Sequence, residues 1–254
     1  MRILLSNDDG YLASGLLALY KSLLTIADVT VFAPAQNHSG TSNALTLQRP
    51  LTIHKIQDGS QKDFYVVDGT PTDCVHIALT GFLDFVPDMV VSGINRGQNM
   101  AEDVIYSGTV AAAVEGYFFG LHSVAFSQVD RNWENLAQSG DICQKFIANL
   151  AQNKPANPIL WNVNIPSLST LEYKGFHLTR LGKRHNSQAV IKEKSPRGEN
   201  IYWIGPPGNP KDISENTDFH ATSNGYTSVT PLQLDLTHYD ALKSNWIKSC
   251  IPNE

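Results

Sequence analysis

The segment Arg2-Ile3-Leu4-Leu5-Ser6-Asn7-Asp8-Asp9-Gly10 shows the pattern that decides the fold. A short apolar run of strand length ends in polar residues and glycine, and helix-spaced leucines follow over residues 14–24. This alternation of strand-like and helix-like stretches continues to about residue 166. Strands that alternate with helices imply right-handed crossovers and a parallel sheet covered on both faces. We therefore predict a doubly wound, mostly parallel α/β domain over residues 1–166.

The remaining elements of this domain are predicted from the same alternation of strand-like and helix-like stretches. After the first strand, the predicted strands cover residues 29–33, 65–67, 89–91, 123–126 and 159–163. Further helices are predicted from residue 70, where Thr70-Pro71-Thr72-Asp73 offers a capping hydroxyl and an early acid, over residues 107–119, and over about 132–150.

Residues 167–254 have a different, β-rich pattern. Two runs over residues 188–192 and 200–204 flank Ser195-Pro196-Arg197-Gly198 and predict a hairpin. A polar loop is predicted over residues 206–216, a strand-like stretch over 226–236, and a last helix from Thr237 to residue 245. Because a projecting hairpin is typical of oligomerisation arms, we predict that this C-terminal extension joins subunits.

Composition excludes several classes of protein. The chain is 42% hydrophobic, which rules out wholesale disorder, and its net charge of −5 argues against a partner that is a nucleic-acid polymer. No apolar run reaches the roughly 18 residues needed to span a bilayer, and the N-terminus lacks the pattern of a signal peptide. Cys74, Cys143 and Cys250 are odd in number and form no CxxC pair. These features predict a cytoplasmic protein with reduced cysteines and no membrane partner.

Polar residues and glycine follow four of the predicted strands. These stretches are residues 7–10, 38–43, 68–70 and 92–99. In open parallel sheets, ligands bind beyond the carboxyl ends of the strands, at the point where the strand order reverses. We therefore expect the four stretches to meet on one rim and to form a site.

The adjacent acids Asp8 and Asp9 are the sharpest feature of this rim. Two neighbouring carboxylates repel each other, and a hard divalent cation with oxygen ligands removes the conflict. Ser39 and Asn95, on two of the other loops, are suitable neutral ligands. The alternative interpretation is that the Asp-Asp-Gly turn only caps the next helix.

A second feature, Ser107-Gly108-Thr109, opens a predicted helix with small and hydroxyl-bearing residues. Free N–H groups at such a helix start favour a phosphate group. The alternative is that Thr109 is an ordinary N-cap, and Gly40-Thr41-Ser42 has the same ambiguity. We predict that Ser107, Gly108, Thr109, Gly40 and Asn99 bind the phosphate of a substrate.

Several familiar nucleotide-binding and hydrolase patterns are absent from the sequence. It contains no GxGxxG after the first strand, no GxxxxGK[ST] and no GxSxG. Phospho-acceptor receiver domains are the nearest rival, because Asp8-Asp9, Asp68 and Ser92 imitate their acids and hydroxyl. They require a lysine after the fifth strand, where this chain has Ser127-Gln128.

Eight short segments form a specific combination in a fixed order. They are Ile3 to Gly10, Ala33-Pro34 with Gln36 to Gly40, Leu45 to Leu47, Gly69 to Val75, Ser92 to Asn95, Asp103 to Val110, Thr217 to Phe219, and Gly225 to Leu232. This combination resembles the survival protein SurE family of metal-dependent 5′/3′-nucleotidases. The resemblance implies a Rossmann-like domain with an extension that exchanges between the subunits of a homodimer or homotetramer.

The resemblance also implies an activity and a ligand set. Family members hydrolyse nucleoside monophosphates, and some trim short polyphosphate, so this chain is expected to be a 5′-nucleotidase, a phosphoric monoester hydrolase. The family's metal ligands fall on Asp8, Asp9, Ser39 and Asn95. They imply one divalent cation per subunit, Mg²⁺ or Mn²⁺, although the oxygen ligand set also accepts Ca²⁺.

Roles follow for individual residues of the predicted site. We expect Asp8, Asp9 and Asn95 to be catalytic, with Asp9 also orienting the attacking water. His38 is either an acid for the leaving group or a solvated loop histidine. Asp103 and Asn99 either support the ligands or make ordinary loop hydrogen bonds, and Tyr106 either stacks on a base or is buried beside the helix start. A non-catalytic regulator that binds nucleotides or phosphate remains the alternative function.

Overall fold

A computed structural model describes residues 1–56, 63–132, 134–169, 171–244, 246 and 249–250. Its strands are β1 Arg2–Ser6, β2 Asp28–Pro34, β3 Ile53–Lys55, β4 Phe64–Val67, β5 Met89–Arg96, β6 His122–Gln128, β7 Leu160–Ile165, β8 Phe176–Leu178, β9 Lys183–Arg184, β10 Ile191–Lys194, β11 Asn200–Trp203, β12 Pro210–Asp212 and β13 Thr227–Leu232. Its α-helices are α1 Ser14–Leu23, α2 Pro71–Ile77, α3 Asp103–Tyr106, α4 Gly108–Phe118, α5 Leu136–Gln152, α6 Asp218–Ser223 and α7 Tyr239–Leu242. An irregular helical segment, Ala78–Phe82, follows α2.

The central sheet has nine strands in the order β3-β4-β2-β1-β5-β6-β7-β13-β8. All neighbouring pairs from β4 to β7 are parallel. The chain first builds outward from β1 through β2 to β4, and then crosses to β5 on the other side of β1. The strand order therefore reverses between β1 and β5, which confirms the predicted doubly wound fold and locates its switch point.

Helices cover both faces of this sheet, as the alternating sequence pattern requires. On one face Leu5 and Val91 pack in a cluster with Leu16 of α1 and Ile147 of α5. On the other face the neighbouring strand residues Leu4 and Val90 pack with Cys74 of α2 and Ala112 of α4. Successive strand residues thus enter opposite halves of the core, because side chains alternate along a strand.

The C-terminal part of the chain also contributes to the central sheet. Strand β13 pairs antiparallel with β7, and β8 pairs parallel with β13. The sheet therefore continues beyond the strand that ends at Ile165. The predicted hairpin is confirmed as β10 and β11, whose turn is closed by a 2.9 Å hydrogen bond from the N–H of Gly198 to the carbonyl of Ser195.

Four of the predicted elements differ from the structure. The strand-like stretch over residues 226–236 is β13, which ends at Leu232. Helix α5 begins at Leu136 instead of near residue 132, because Asn135 has a left-handed backbone with φ 56°. The predicted loop over residues 206–216 contains β12, which pairs with β9. The last helix covers only Tyr239–Leu242 with His238 as its cap, and residue 245 lies outside the described residues.

All three cysteines lie within the described residues. Cys74 and Cys143 are free and buried, as expected, whereas Cys250 is free and exposed. Within the described ranges, none of the helices has the length and apolar character needed to cross a bilayer.

Candidate active site

Asp8 follows β1 at the switch point and is buried, with 3% of its surface exposed. Burial raises the pKa of Asp8 to about 6. The hydrogen bonds from Thr109 act in the opposite direction, and the neighbouring charge of Asp9 raises the pKa further. A buried carboxyl with a raised pKa beside a second acid is a typical feature of a functional site.

The start of α4 points at Asp8. Thr109 donates its hydroxyl to Oδ1 of Asp8, and its backbone also hydrogen-bonds to this carboxylate. The N-cap of α4 is Ser107, whose Oγ accepts from the N–H of Val110 at 3.1 Å, so Thr109 is not an ordinary N-cap. In the structure Thr109 contacts Asp8, and Ser107 and Gly108 remain as donors at this helix start.

Gly108 allows the close approach of α4 to the acid. A Cβ at this position would lie 2.8 Å from Cβ and 3.2 Å from Oδ2 of Asp8. Non-bonded carbons do not come this close, so any side chain at residue 108 would displace the carboxylate or the helix. The small residue is therefore required by the contact with Asp8.

Asp9 is connected to two of the neighbouring loops. Its Oδ1 accepts a hydrogen bond from Nδ2 of Asn37 at 3.2 Å, and its Oδ2 accepts from the N–H of Arg96 at 3.1 Å. Burial raises the pKa of Asp9, while these contacts with Arg96 and Asn37 lower it. Oδ1 of Asn37 also accepts from the N–H of Ser39 at 2.8 Å, so Asn37 links Asp9 to the predicted ligand Ser39.

The two acids do not cap the following helix. The N-cap of α1 is Ala13, which makes no side-chain capping bond. The interpretation of Asp-Asp-Gly as a simple cap is therefore wrong.

Asn95 lies near the end of β5, directly across the switch point from β1. A register shift between Ser92 and Asn95 in the pairing with β6 marks a bulge, a feature that re-aims side chains at sheet rims. The Nδ2 of Asn95 donates to the carbonyl of Gly97 at 2.9 Å. This bond holds the side-chain amide and leaves Oδ1 as its acceptor atom.

One cavity of about 380 Å³ opens at this rim, within the size range of small-molecule sites. Most of the predicted site residues line it, namely Asp8, Ser39, Gly40, Asn95, Asn99, Asp103, Tyr106 and Ser107. Gly108 and Thr109 contact Asp8. Asp9 is not among the described residues that line the cavity, but it accepts from the N–H of Arg96, which lines it. The predicted residues therefore come together from β1, β5, α3, α4 and the loop after β2.

Tyr106 is exposed over 66% of its surface and lines this cavity. Its interpretation as a buried aromatic beside the helix start is therefore wrong. The tyrosine is accessible to a ligand at the mouth of the cavity.

Other predicted features of the rim are placed elsewhere or differently. The loop of residues 68–70 does not contribute to the lining of this cavity, because β4 lies two strands away from β1, and Asp68 pairs with Arg49 at 3.0 Å. Gly40-Thr41-Ser42 begins no helix, and Ser42 Oγ donates instead to the carbonyl of Ile105 at 2.7 Å. The N–H of His38 donates to the carbonyl of Asp8 at 2.8 Å, and this histidine is not among the described residues that line the cavity.

Asn99 is held by a buried network that the sequence analysis missed. Its N–H donates to Oδ1 of Asn164 at 2.8 Å, and its carbonyl accepts from Nδ2 of Asn162 at 2.8 Å and of Asn164 at 3.1 Å. Its own Nδ2 donates to Ser127 Oγ at 2.8 Å. Two adjacent strands, β6 and β7, thus hold Asn99 at the cavity. The sequence does contain one signal for this network. Asn162 and Asn164 stand at alternate positions of β7, so their side chains lie on the same face of the sheet.

Three lining residues from outside the recognised motifs were also missed, Arg131, Arg184 and Pro207. Arg184 belongs to β9, so the C-terminal part of the chain reaches the site.

Asp218, which is fully buried, accepts from the N–H groups of Ala101 and Gly182 at 2.8 and 2.9 Å and joins the two parts. Nothing in the local sequence indicates these contacts, since 36 to 117 residues separate the partners.

The donor set of the site suits a hard divalent cation. The predicted ligands offer two carboxylates, a hydroxyl and an amide oxygen, which Mg²⁺ and Mn²⁺ prefer over nitrogen or sulfur donors. No cluster of three or more His, Cys, Asp or Glu side chains suited to a metal occurs within the described part of the chain. A site of this kind therefore depends on its neutral oxygen ligands as well as on its two acids.

The fold and the site together define a doubly wound α/β protein with an acid pair at the switch point and a helix start directed at it. The family model described as Survival protein SurE matches residues 3–188, and the chain belongs to this family. The crystal structure of the SurE protein from Aquifex aeolicus is 40% identical to this chain, with a TM-score of 0.83. The match covers 98% of this chain and 100% of the Aquifex chain.

Members of the SurE family are divalent-metal-dependent phosphatases and nucleotidases. Membership places this chain among the hydrolases of that class. The resemblance found in the sequence motifs is thereby confirmed.

Proposed function

We propose that this protein is a 5′-nucleotidase that hydrolyses nucleoside 5′-monophosphates, and also 3′-monophosphates and short polyphosphate, with release of phosphate. The observation that carries the proposal is the placement of Asp8. It is buried beside Asp9 at the switch point, its pKa is raised to about 6, and the start of α4 is directed at it. A nucleoside monophosphate fits the size of the cavity that these residues line.

We propose Asp8, Asp9, Ser39 and Asn95 as ligands of one Mg²⁺ or Mn²⁺ ion per subunit. When bound, such a cation neutralises phosphoryl charge and lowers the pKa of a water molecule. Support comes from the shared cavity lining of Asp8, Ser39 and Asn95, and from Asn37, which bridges Asp9 and Ser39.

The chain's own groups have separate tasks in this proposal. The hydroxyl of Ser107 and the N–H of Gly108 bind phosphoryl oxygens at the start of α4, where the helix dipole favours negative charge. Asp9 orients the attacking water with the carboxylate lone pairs that remain beside its bonds to Asn37 and Arg96. Asn99 supports the rim through its bonds to β6 and β7.

The test is phosphate release from AMP and p-nitrophenyl phosphate by the purified protein. We expect release with Mn²⁺ or Mg²⁺, none with EDTA, and none from the Asp8→Asn variant. Asp28→Asn is the matched control, because it makes the same change at the start of β2. This position is at the amino ends of the parallel strands, whereas the site lies at their carboxyl ends. Binding of AMP without any metal-dependent release would contradict the proposal and favour a non-catalytic regulator.

We also propose that the protein assembles as a homodimer or homotetramer through residues 167–254. Large apolar side chains are exposed here, including Trp203, Ile204 and Leu236 at 59%, 94% and 92%. Such a surface is typical of a protein interface. Because β13 belongs to the central sheet, substitution is a better test than truncation. The double variant Trp203→Ser with Ile204→Ser should sediment as a smaller species, and an unchanged mass would contradict this interface.

A further inference from the structure

The cavity is lined by positively charged side chains that have no direct role in the proposed hydrolysis. Three arginines line the cavity, Arg96, Arg131 and Arg184. Arg184 is neutralised by Asp103, with Nη2 and Oδ2 2.6 Å apart. Arg96 and Arg131 are exposed, and neither has a carboxylate within ion-pair distance in the described ranges. Two guanidinium groups that form no ion pair within these ranges thus line the same cavity.

The position of Arg131 depends on the loop after β5. Its Nε would lie 3.0 Å from a Cβ placed on Gly97, whose backbone has φ +115°. The arginine therefore lies against the bare backbone of Gly97, in a space that a side chain would close. Its carbonyl accepts a 2.7 Å hydrogen bond from Nε of Arg96, which joins the two arginines into one unit.

Neither guanidinium group ligates the cation or holds the scissile phosphate in the proposed chemistry, although the charge of Arg96 lowers the pKa of Asp9. Guanidinium groups do not ligate metal ions, and the phosphate that is hydrolysed is held at Asp8 and the start of α4. Two like charges at one rim repel each other, and an anion between them removes the repulsion. The planar guanidinium group is well suited to phosphate, because it donates two parallel hydrogen bonds.

Resting on the proposed nucleotidase function, we propose that Arg96 and Arg131 form a second anion subsite. This subsite makes the enzyme favour phosphomonoesters that carry a further phosphate group beyond the scissile one. The second phosphate is attached to the sugar, as in a nucleoside 3′,5′-bisphosphate.

The test compares substrates with and without the second phosphate. The specificity ratio is kcat/KM for adenosine 3′,5′-bisphosphate divided by kcat/KM for AMP, measured with Mn²⁺ at fixed ionic strength. We expect Arg131→Gln to lower this ratio about tenfold, which corresponds to about 1.4 kcal/mol. Arg131→Lys should lower it less, because the lysine keeps the charge and loses the paired hydrogen bonds.

Lys21→Gln is the control for net charge. Lys21 is exposed in the last turn of α1. This helix runs from the site toward the amino ends of the strands, so Lys21 lies far from the cavity. This variant should retain the ratio of the unmodified protein. A ratio that is unchanged in both Arg131→Gln and the Arg96→Gln/Arg131→Gln double variant would overturn the subsite.

A binding measurement separates this proposal from the nucleotidase itself. If the unmodified protein hydrolyses none of these esters, the proposed function fails. Calorimetric titration then still tests the subsite, because it compares the affinities of the protein for adenosine 3′,5′-bisphosphate and for AMP. Tighter binding of the bisphosphate that is lost in Arg131→Gln supports the proposal, and equal binding of the two nucleotides contradicts it.

Discussion

Arg184 of β9 binds Asp103 of α3 through two parallel hydrogen bonds, 3.0 Å from Nε to Oδ1 and 2.6 Å from Nη2 to Oδ2. The guanidinium also donates to the carbonyl of Gly208 at 3.0 Å and lies 4.9 Å from the ring centre of Phe219. Because α3 leads directly into Ser107, this pair connects the C-terminal part of the chain to the start of α4.

We expect Arg184→Lys to lower kcat/KM for AMP by about tenfold or more, because a lysine cannot form the paired bonds that hold α3. Affinity for Mn²⁺ should change little, since none of the proposed metal ligands contacts Arg184. Steady-state kinetics and calorimetric Mn²⁺ titration measure the two effects. Arg180→Gln, which removes a partly exposed ion pair to Asp212 in the same part of the chain, is the control. Full activity in Arg184→Lys would show that α3 is held by other contacts.

The Asp8→Asn variant should be more stable than the unmodified protein when no metal is present. The pKa of Asp8 in the folded protein, about 6, lies above its ordinary value of 3.8, so the folded state loses stability as pH rises between these values. Above pH 6 this cost is on the order of 2–3 kcal/mol, and a neutral amide removes it. Calorimetric melting at pH 7.5 in EDTA measures the gain. Added Mn²⁺ should raise Tm only in the unmodified protein, and a metal-dependent shift in Asp8→Asn would disprove the ligand role.

Metal affinity should fall in acid, because a proton competes for Asp8 below pH about 6. Since the hydrogen bond from Thr109 lowers the pKa of Asp8, Thr109→Val should move the loss of Mn²⁺ binding to higher pH. Thr109→Ser keeps the hydroxyl and should resemble the unmodified protein. Titration calorimetry at several pH values between 5 and 8 compares the three proteins, and identical profiles would contradict this coupling.

Gly108→Ala should abolish most of the activity with little loss of secondary structure. The added Cβ would meet Cβ of Asp8 at 2.8 Å, whereas alanine is itself favourable within a helix. We expect weaker Mn²⁺ binding together with an unchanged far-UV circular dichroism spectrum. Unaltered metal affinity would mean that α4 and Asp8 can separate without consequence for the site.

Asp73→Asn should destabilise the protein at neutral pH by about 1–3 kcal/mol. Asp73 accepts from the N–H and hydroxyl of Thr46 at 2.8 and 2.6 Å, and from the N–H of Thr70 at 2.9 Å, within the capping box of α2. Burial raises the pKa of Asp73, but these hydrogen bonds outweigh it and hold the pKa below its ordinary value of 3.8.

The stability that Asp73 contributes is therefore present above pH 3.8 and is lost as pH falls toward the lowered pKa. Urea unfolding at pH 7 and pH 3 measures the difference between Asp73→Asn and the unmodified protein, which should shrink at the lower pH. Asp68→Asn is the control, because it breaks only the exposed pair with Arg49. Equal effects of the two variants at pH 7 would contradict the role of the capping box.

The sequence alone was sufficient for the parallel strands of the central sheet, for the starts of α1, α2 and α4, and for the order of the motifs. These features are local: a strand or helix shows its period within a few residues, and the capping box of Thr70 and Asp73 spans only four. The position of Asp8-Asp9 after β1 and of Ser107-Gly108-Thr109 at the start of α4 could therefore be predicted, as could their common rim.

Only the tertiary structure decided which loops share the site and what completes it. Strand order places the loop after β4 two strands from β1, so Asp68 is outside the cavity, although the sequence has the same polar pattern there. Arg184 meets Asp103 across 81 residues, and Asn164 meets Asn99 across 65. Such partners carry no local signal, because their contact depends on how the strands are ordered and on how the C-terminal part returns to β7.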